Sequence, residues 1–296
     1  MISKIYGVID IGSNSVRALV HSDGKILYRD LITSRLGEGL ALTGKISGAA
    51  AERTKKAIKE LYLRCVKAGA EEIFAFATET VRSAENGAEF VYNAEEYAGI
   101  KIDVVSGDEE GEIGLLGAFG GDDGAIIDIG GASAEITAAT GGKIIYSHSL
   151  PLGAVRLFDL CGEDDGKLSD IIGRKIKEYG DIPFSSVGQV CGVGGTATTL
   201  GAVNLGMKNY DADKVDGSVL TYGALTDILK TLKALNVRER TEILGINEKR
   251  AEIIYCGAFL LERIMNNFSL SEITVREADN LLGYLYKRIY GKNYEK

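Results

Sequence analysis

Proline is almost missing from this chain, with two residues in 296, and no Gly/Ser-rich or Pro-rich stretch marks a flexible linker. Clusters of Lys and Arg are also missing. With 34 basic against 42 acidic residues the formal net charge is −8, which excludes the basic stripe of a nucleic-acid-binding surface. An acidic chain still binds an anion where a divalent cation and backbone amides do the work. Only four cysteines occur, Cys65, Cys161, Cys191 and Cys256. Their spacing fits no metal motif, and they read as buried small hydrophobes in a reducing compartment. His21 and His148 lack any Ser or Cys nucleophile context and read as structural. The start, Met1-Ile2-Ser3-Lys4-Ile5, lacks the apolar run of a signal peptide, so a cytoplasmic location is expected. Residues Ile182 to Met207 carry no charge and reach the length of a membrane span. They hold six glycines and seven polar residues, so a strand, a turn and a helix start are expected there, and no membrane partner.

Glycine is what the chain has in excess: 38 residues, nearly twice the usual share of about 7%. Scattered glycine with little proline implies tight turns and close backbone approaches inside ordered structure. A hydrophobic share of 45% and a charged share of 26% are those of an ordinary soluble protein, long enough for about two domains.

An internal repeat organises the sequence. Val8 to Tyr28 aligns without a gap on Ile126 to Tyr146 at an offset of 118, with nine identities in 21 positions. Ile9-Asp10-Ile11-Gly12-Ser13-Asn14-Ser15 recurs as Ile127-Asp128-Ile129-Gly130-Gly131-Ala132-Ser133. Hairpins share dipeptides by chance, but not nine identities in fixed register. The period is about one small domain, too long for a solenoid. The expectation is therefore an α/β protein of two similar domains, 1–121 and 122–283, each opening on a β-hairpin. Strands are expected at Ile73–Ala77, Ile102–Val105 and Val187–Val193. Helices are expected at Ala88–Tyr97, Leu168–Tyr179, Leu225–Leu235 and Arg250–Met265, and on one face of Ile58, Leu61, Tyr62, Cys65 and Val66. A last amphipathic helix near Asn280–Tyr290 is free to dock on either domain, its part from about 284 to 296 lying beyond the second domain and able to return to the first.

The turn after each aspartate suits phosphate. Gly12 lets the backbone approach closely, and the amides of Ser13, Asn14 and Ser15 form an anion nest. Gly130, Gly131, Ala132 and Ser133 offer the same from the second copy. Asp10 and Asp128 end their strands toward one cleft, where they can hold a hard cation such as Mg²⁺. A single copy would read as a hairpin turn capped by its own Asp; two copies facing each other favour the phosphate reading. Arg82, just after a buried strand, is placed to clamp a phosphate or to pair with Glu79 or Glu85. In Ser106-Gly107-Asp108-Glu109-Glu110, a capping box accounts for Ser106 and Glu109. Glu110 is left over as a carboxylate able to deprotonate water, or as an ordinary first-turn acid. Gly194-Gly195-Thr196 leads from a strand into a helix, a second phosphate position at a helix N-terminus.

Taken in order, Asp10 to Ser15, Thr78 to Asn86, Val105 to Glu110, Asp128 to Gly131, Ser149 to Leu157 and Gly194 to Thr196 resemble the exopolyphosphatase/guanosine pentaphosphate phosphohydrolase (Ppx/GppA) family, in its short two-domain form. The resemblance runs from about Asp10 to Gly283. It implies two actin-like (ribonuclease H-like) domains with the active site in the cleft between them. It further implies Mg²⁺- or Mn²⁺-dependent hydrolysis of a terminal phosphoanhydride in polyphosphate, short chains preferred, or in guanosine pentaphosphate. By position Glu110 matches the catalytic carboxylate, and Asp10, Asp128 and Glu135 the metal-associated acids. Gly12, Ser13, Asn14, Ser15, Arg82, Gly130, Gly131, Ala132, Ser133, Gly194, Gly195 and Thr196 match phosphate-binding positions. Arg17 and Arg250 are similar to cleft arginines that touch a second phosphate. No nucleic-acid or membrane partner is implied, and a homodimer is admitted. Three departures from the pattern stand out, one of them that Glu135 lies one turn beyond the second loop, which shifts its reach. Ala132 replaces a glycine, and Leu281-Leu282 stand where the family has Arg-Glu. The competing readings are an ATP-dependent phosphotransferase of the same superfamily and a non-catalytic nucleotide-binding regulator.

Overall fold

The structure is a computed structural model that describes residues 4–244 and 246–291. Residues 1–3, which hold most of the N-terminal segment read above, and 292–296, the end of the expected last helix, lie outside the described residues. Two mixed sheets carry the fold. The first has the order β3-β2-β1-β4-β5, with β1 Tyr6–Ile11, β2 Ser15–Ser22, β3 Lys25–Thr33, β4 Glu72–Ala77 and β5 Asp103–Val104. The second has the order β10-β11-β9-β6-β7-β8, with β6 Gly124–Ile129, β7 Ala134–Thr140, β8 Lys143–Leu150, β9 Val190–Val193, β10 Val219–Thr221 and β11 Glu272–Val275. In each sheet three antiparallel strands continue into parallel ones, β1 against β4 and β6 against β9. This is the α/β architecture expected from the repeat, each sheet opening on a β-hairpin.

The duplication reaches fine detail. β1 and β6 begin and end 118 residues apart, and a bulge falls at Val20/His21 in the first copy and at Ala138/Ala139 in the second. Both central strands are buried along nearly their whole length, as a strand covered on both faces must be. Asp10 and Asp128 sit in these buried strands, one residue before their ends.

Several expected elements differ at their limits. The Arg250–Met265 helix divides into Glu248–Ala251 and Ile254–Asn267. The Val187–Val193 strand starts only at Val190, after a short 3₁₀ turn at Phe184–Ser186 and a bend at Val187 and Gly188. The Ile102–Val105 strand shortens to Asp103–Val104. Helix Asp165–Lys175 starts earlier than expected, where the Asp164 side chain caps it, and its C-terminal turn is 3₁₀. Val66, expected on the buried face of Gly48–Lys67, is exposed, whereas Ile58, Leu61 and Cys65 are buried.

The last helix, Asn280–Tyr290, packs on the first sheet. Leu281, Tyr284 and Leu285 share one apolar cluster with Val8, Leu19, Phe76, Val105 and Ile113. Leu281 is thus a core residue, which accounts for an apolar side chain where the family pattern carries charge. The same helix crosses Gly107–Phe119 at backbone contact distance: a methyl on Gly283 would overlap the Ile113 carbonyl. Close crossing of this kind fixes the helix that carries Glu110.

Candidate active site

One cavity of about 440 Å³ lies between the two sheets, and both repeated turns open onto it. Gly12 donates to the Ser15 carbonyl at 3.0 Å and Gly130 to the Ser133 carbonyl at 3.0 Å, so the turns share one hydrogen-bonded closure. They also touch. A Cβ on Gly131 would come within 2.6 Å of the Ser13 Cβ, so only glycine permits this approach. The Ser13 hydroxyl and Thr80 are hydrogen-bonded at 2.6 Å, and the Ser13 carbonyl accepts from Gly37 at 2.9 Å.

Of the candidates from the sequence, Asp10, Gly12, Ser13, Asn14, Ser15, Arg17, Glu110, Asp128, Gly130, Gly131, Ser133, Gly194, Gly195 and Arg250 line this cavity. Gly194 and Gly195 are the first residues of helix Gly194–Asn204, whose positive dipole end therefore faces the space. Four candidates lie behind the wall. The Thr196 hydroxyl donates to the Ile129 carbonyl at 2.8 Å. Ala132 is buried, and its carbonyl accepts from Arg156 at 2.8 Å. Glu135 accepts from the Ser149 hydroxyl at 2.6 Å. Arg82 donates to the Val105 carbonyl and to Glu79, at 2.7 Å for the latter, and lies 3.4 Å from Glu110 Oε2. It therefore meets Glu110 rather than the cavity itself.

Glu110 is where the cap geometry puts it. Ser106 and Glu109 form the reciprocal capping box of helix Gly107–Phe119, and Glu110 follows in the first turn, buried. Burial, then the charges of Glu135 and Asp128, push its carboxyl well above the usual range, against the pull of Arg82. Asp128 is raised well above its usual value by burial and by Glu135, and Glu135 is pushed up to about 7 by burial. Asp10 is raised by burial too, although Arg17 opposes the rise.

The arginines divide. Arg17 donates to Asp10, at 2.9 Å through Nε, and to Asp279, the N-cap of the last helix. It is committed to two carboxylates, not free for a second phosphate as the resemblance implied. Arg250 has no carboxylate within ion-pair distance among the described residues. Its guanidinium lies against the Gly195 backbone, and burial and Arg17 lower it to about 10. An unneutralised guanidinium in such a wall attracts an anion.

Six carboxylates (Asp10, Asp30, Glu110, Asp128, Glu277, Asp279) and three arginines (Arg17, Arg29, Arg250) line the space, so a phosphate anion needs added positive charge there. Asp10 Oδ1 and Asn14 Oδ1 are buried without a hydrogen-bond partner, and unsatisfied hard oxygen atoms of this kind suit a divalent cation. Among the described residues no three His, Cys, Asp or Glu side chains converge tightly enough to hold a metal by themselves. The expected trio of Asp10, Asp128 and Glu135 is thus not drawn together tightly: Glu135 accepts from Ser149 through Oε1 behind the wall, while its charge still reaches Asp128 and Glu110. Asp10 and Asp128 remain, and one or two carboxylates completed by water and phosphate oxygen are what Mg²⁺ ordinarily takes.

Sequence reasoning missed part of the wall. Asp279 and Asn280, whose Nδ2 lies 3.3 Å from Asp128 Oδ2, stand at the start of the last helix, and nothing in their local sequence points to the cavity. Ala202, Val203, Met207, Leu244 and Ile246 form an apolar stretch that only the fold brings together.

Residues 16–286 match the family model described as the Ppx/GppA phosphatase family. The chain is 32% identical to a bifunctional 3-dehydroquinate synthase/phosphatase of Fusobacterium nucleatum over 96% of its own length, and spans 46% of that protein. It is 27% identical to exopolyphosphatase 2 of Mycobacterium tuberculosis, over 93% of this chain and 95% of that one. Among solved structures, an Aquifex aeolicus Ppx/GppA family member superposes with a TM-score of 0.79 at 26% identity, over 99% of this chain and 100% of that one. An exopolyphosphatase from Cytophaga hutchinsonii shares the fold with a TM-score of 0.85 at 23% identity, over 99% of this chain and 100% of that one.

Proposed function

The chain belongs to the Ppx/GppA phosphatase family, and from that premise we propose that it hydrolyses the terminal phosphoanhydride bond of inorganic polyphosphate, releasing orthophosphate. The observation that carries this reading is Glu110, a buried carboxylate of raised proton affinity that faces two glycine turns across one cavity. The turns at Ser13–Ser15 and Gly130–Ser133, with the start of helix Gly194–Asn204, hold the terminal phosphate through amides and hydroxyls. Glu110 takes a proton from water as the water oxygen bonds to phosphorus. The bridging P–O bond breaks, and its electron pair leaves on the shortened chain. Arg250 receives charge on the next phosphate. Asp10 and Asp128 would hold Mg²⁺ or Mn²⁺, which supplies charge neutralisation on the phosphate oxygens.

A kinase needs an acceptor site that excludes water, and a passive nucleotide binder needs no carboxylate to activate one; Glu110 favours hydrolysis over both. Short chains and separate binding events for each cleavage are part of the reading. The net charge of −8 and the acid-rich cavity offer a long polyanion no track. The four free cysteines, all buried, support a reducing, cytoplasmic setting. No helix among the described residues is long and apolar enough to cross a membrane.

A second substrate is favoured by the apolar stretch of Val203, Met207, Leu244 and Ile246. Bare polyphosphate gains nothing from it, whereas the base of guanosine pentaphosphate would bury surface there. A phosphate-release panel with Mg²⁺ over polyphosphate, guanosine pentaphosphate, ATP and pyrophosphate tests the proposal. Release from none of them overturns it.

A further inference from the structure

The cavity has a deep end and a rim. Ser13, Asn14, Glu110 and Asp128 are buried, whereas Leu31 and Tyr210, on the same wall, are 45% and 54% exposed. At this rim Arg29 of β3 donates to Glu277 Oε2 at 2.6 Å and to the Glu277 carbonyl at 3.4 Å. Tyr210 donates to the other carboxylate oxygen, Oε1. The Glu277 amide is held by Asp216 at 2.9 Å. One carboxylate, just after β11, thus fastens a strand of the first sheet to the segment that follows helix Gly194–Asn204.

The charge distribution gives this clasp a consequence. Of the three arginines in the wall, Arg17 is held by Asp10 and Asp279, and Arg250, half-buried, lies against the Gly195 backbone. Arg29, 29% exposed, is the one at the rim, and Glu277 neutralises it. A phosphate chain running from Glu110 toward solvent therefore reaches a cation that is already paired.

We propose that the Arg29–Glu277–Tyr210 clasp limits the length of phosphate chain that the site grips, by closing the rim and withholding Arg29 from phosphates beyond the first few. This deepens the phosphoanhydride reading above and rests on it. Glu277→Gln keeps the shape of the side chain and removes the charge that holds Arg29.

The test measures binding of tripolyphosphate and of a chain of several tens of phosphates by calorimetry with Mg²⁺, in a Glu110→Gln background that blocks turnover. At pH 8 Glu277, which burial raises to about 7, is ionised in the parent. Glu277→Gln should tighten the long chain about fivefold and leave tripolyphosphate within about twofold of the parent. The salt dependence for the long chain should steepen by about one released counterion. Adding Arg29→Ala should erase the gain, and Tyr210→Phe should give a smaller gain in the same direction. An equal gain for both chains, no gain, or a gain that survives Arg29→Ala overturns the clasp. If the parent binds neither chain and the wild type releases no phosphate, the phosphatase reading fails and the clasp with it.

Discussion

Arg82 Nη2 lies 3.4 Å from Glu110 Oε2, and the same guanidinium is anchored by Glu79 at 2.7 Å and by the Val105 carbonyl. It orients the carboxylate from behind the cavity wall. Glu110→Gln should lower turnover by about 10²–10⁴-fold with KM nearly unchanged. Arg82→Ala should also act mainly on kcat. Arg82→Lys should recover only part of the loss, since one ammonium cannot reach three acceptors in a planar fork. Steady-state kinetics on short polyphosphate checks this; a pure KM effect in Arg82→Ala would return Arg82 to direct phosphate binding.

The pH profile carries the same relationship. Glu110 must be ionised to accept a proton, and burial with the Glu135 and Asp128 charges raises its carboxyl well above the usual value near 4.5, while Arg82 opposes them. Activity should therefore fall as pH drops through a limb above the ordinary carboxylate range. Glu135→Gln, which removes the largest like charge, should move that limb to lower pH. Arg82→Ala should move it to higher pH. A limb that stays in place in both variants means another group titrates.

Stability should respond in the opposite sense to the usual paired acid. Glu110, Asp128 and Glu135 all have raised carboxyls, Glu135 to about 7. Between the ordinary value and the raised one, the folded state keeps a proton that the unfolded chain has lost. Stability in that window falls as pH rises, by about 1.4 kcal/mol per pH unit for each such group. Metal-free protein should thus melt higher at pH 5.5 than at 7.5. Asp128→Asn should raise the metal-free melting temperature at pH 7.5 by about 2–5 °C and weaken the divalent-cation requirement curve by about 10–100-fold. An unchanged cation titration would remove Asp128 from the metal site.

The repeat made much of this arrangement legible. Asp10 and Asp128 with their glycine turns follow from nine identities in register, and Ser106 with Glu109 announces the cap that sets Glu110. What stayed hidden depends on pairs far apart in sequence. Arg17 looked free for phosphate because its partner Asp279 comes 262 residues later. Arg82 left a phosphate clamp and a pair with Glu79 or Glu85 both open; the Glu79 pair forms, and local sequence does not tell that Val105 and Glu110 also surround it. Glu135 alternates with the strand pattern correctly, yet Ser149 on the neighbouring strand takes its carboxylate. The apolar stretch joins Val203 and Met207 to Leu244 and Ile246, and neither segment alone shows a periodicity pointing to a shared cavity.

Gly283 tests how the last helix supports the site. A methyl there would overlap the Ile113 carbonyl, and one on Gly117 would overlap the Asp279 carbonyl. Backbone cannot yield as a flexible side chain does, so Gly283→Ala should cost about 3 kcal/mol or more. Thermal melting measures it. A loss below about 0.5 kcal/mol, the range of ordinary surface changes, would show that the two helices separate easily.

The apolar stretch separates the two substrates. Leu244 and Met207 are partly buried and pack against the core of the second half while lining the cavity. Met207→Glu puts a charge where a base would lie and leaves the two glycine turns, Glu110 and Arg250 untouched. If guanosine pentaphosphate is a substrate, its KM should rise by about tenfold or more, because a buried apolar contact becomes a desolvated carboxylate. The same change should leave the KM for tripolyphosphate within about twofold, since a bare phosphate chain has no group to place there. Comparing the two KM values in one preparation corrects for any loss of folded protein. Equal losses on both substrates would mean that the apolar stretch supports the cavity without reading a base.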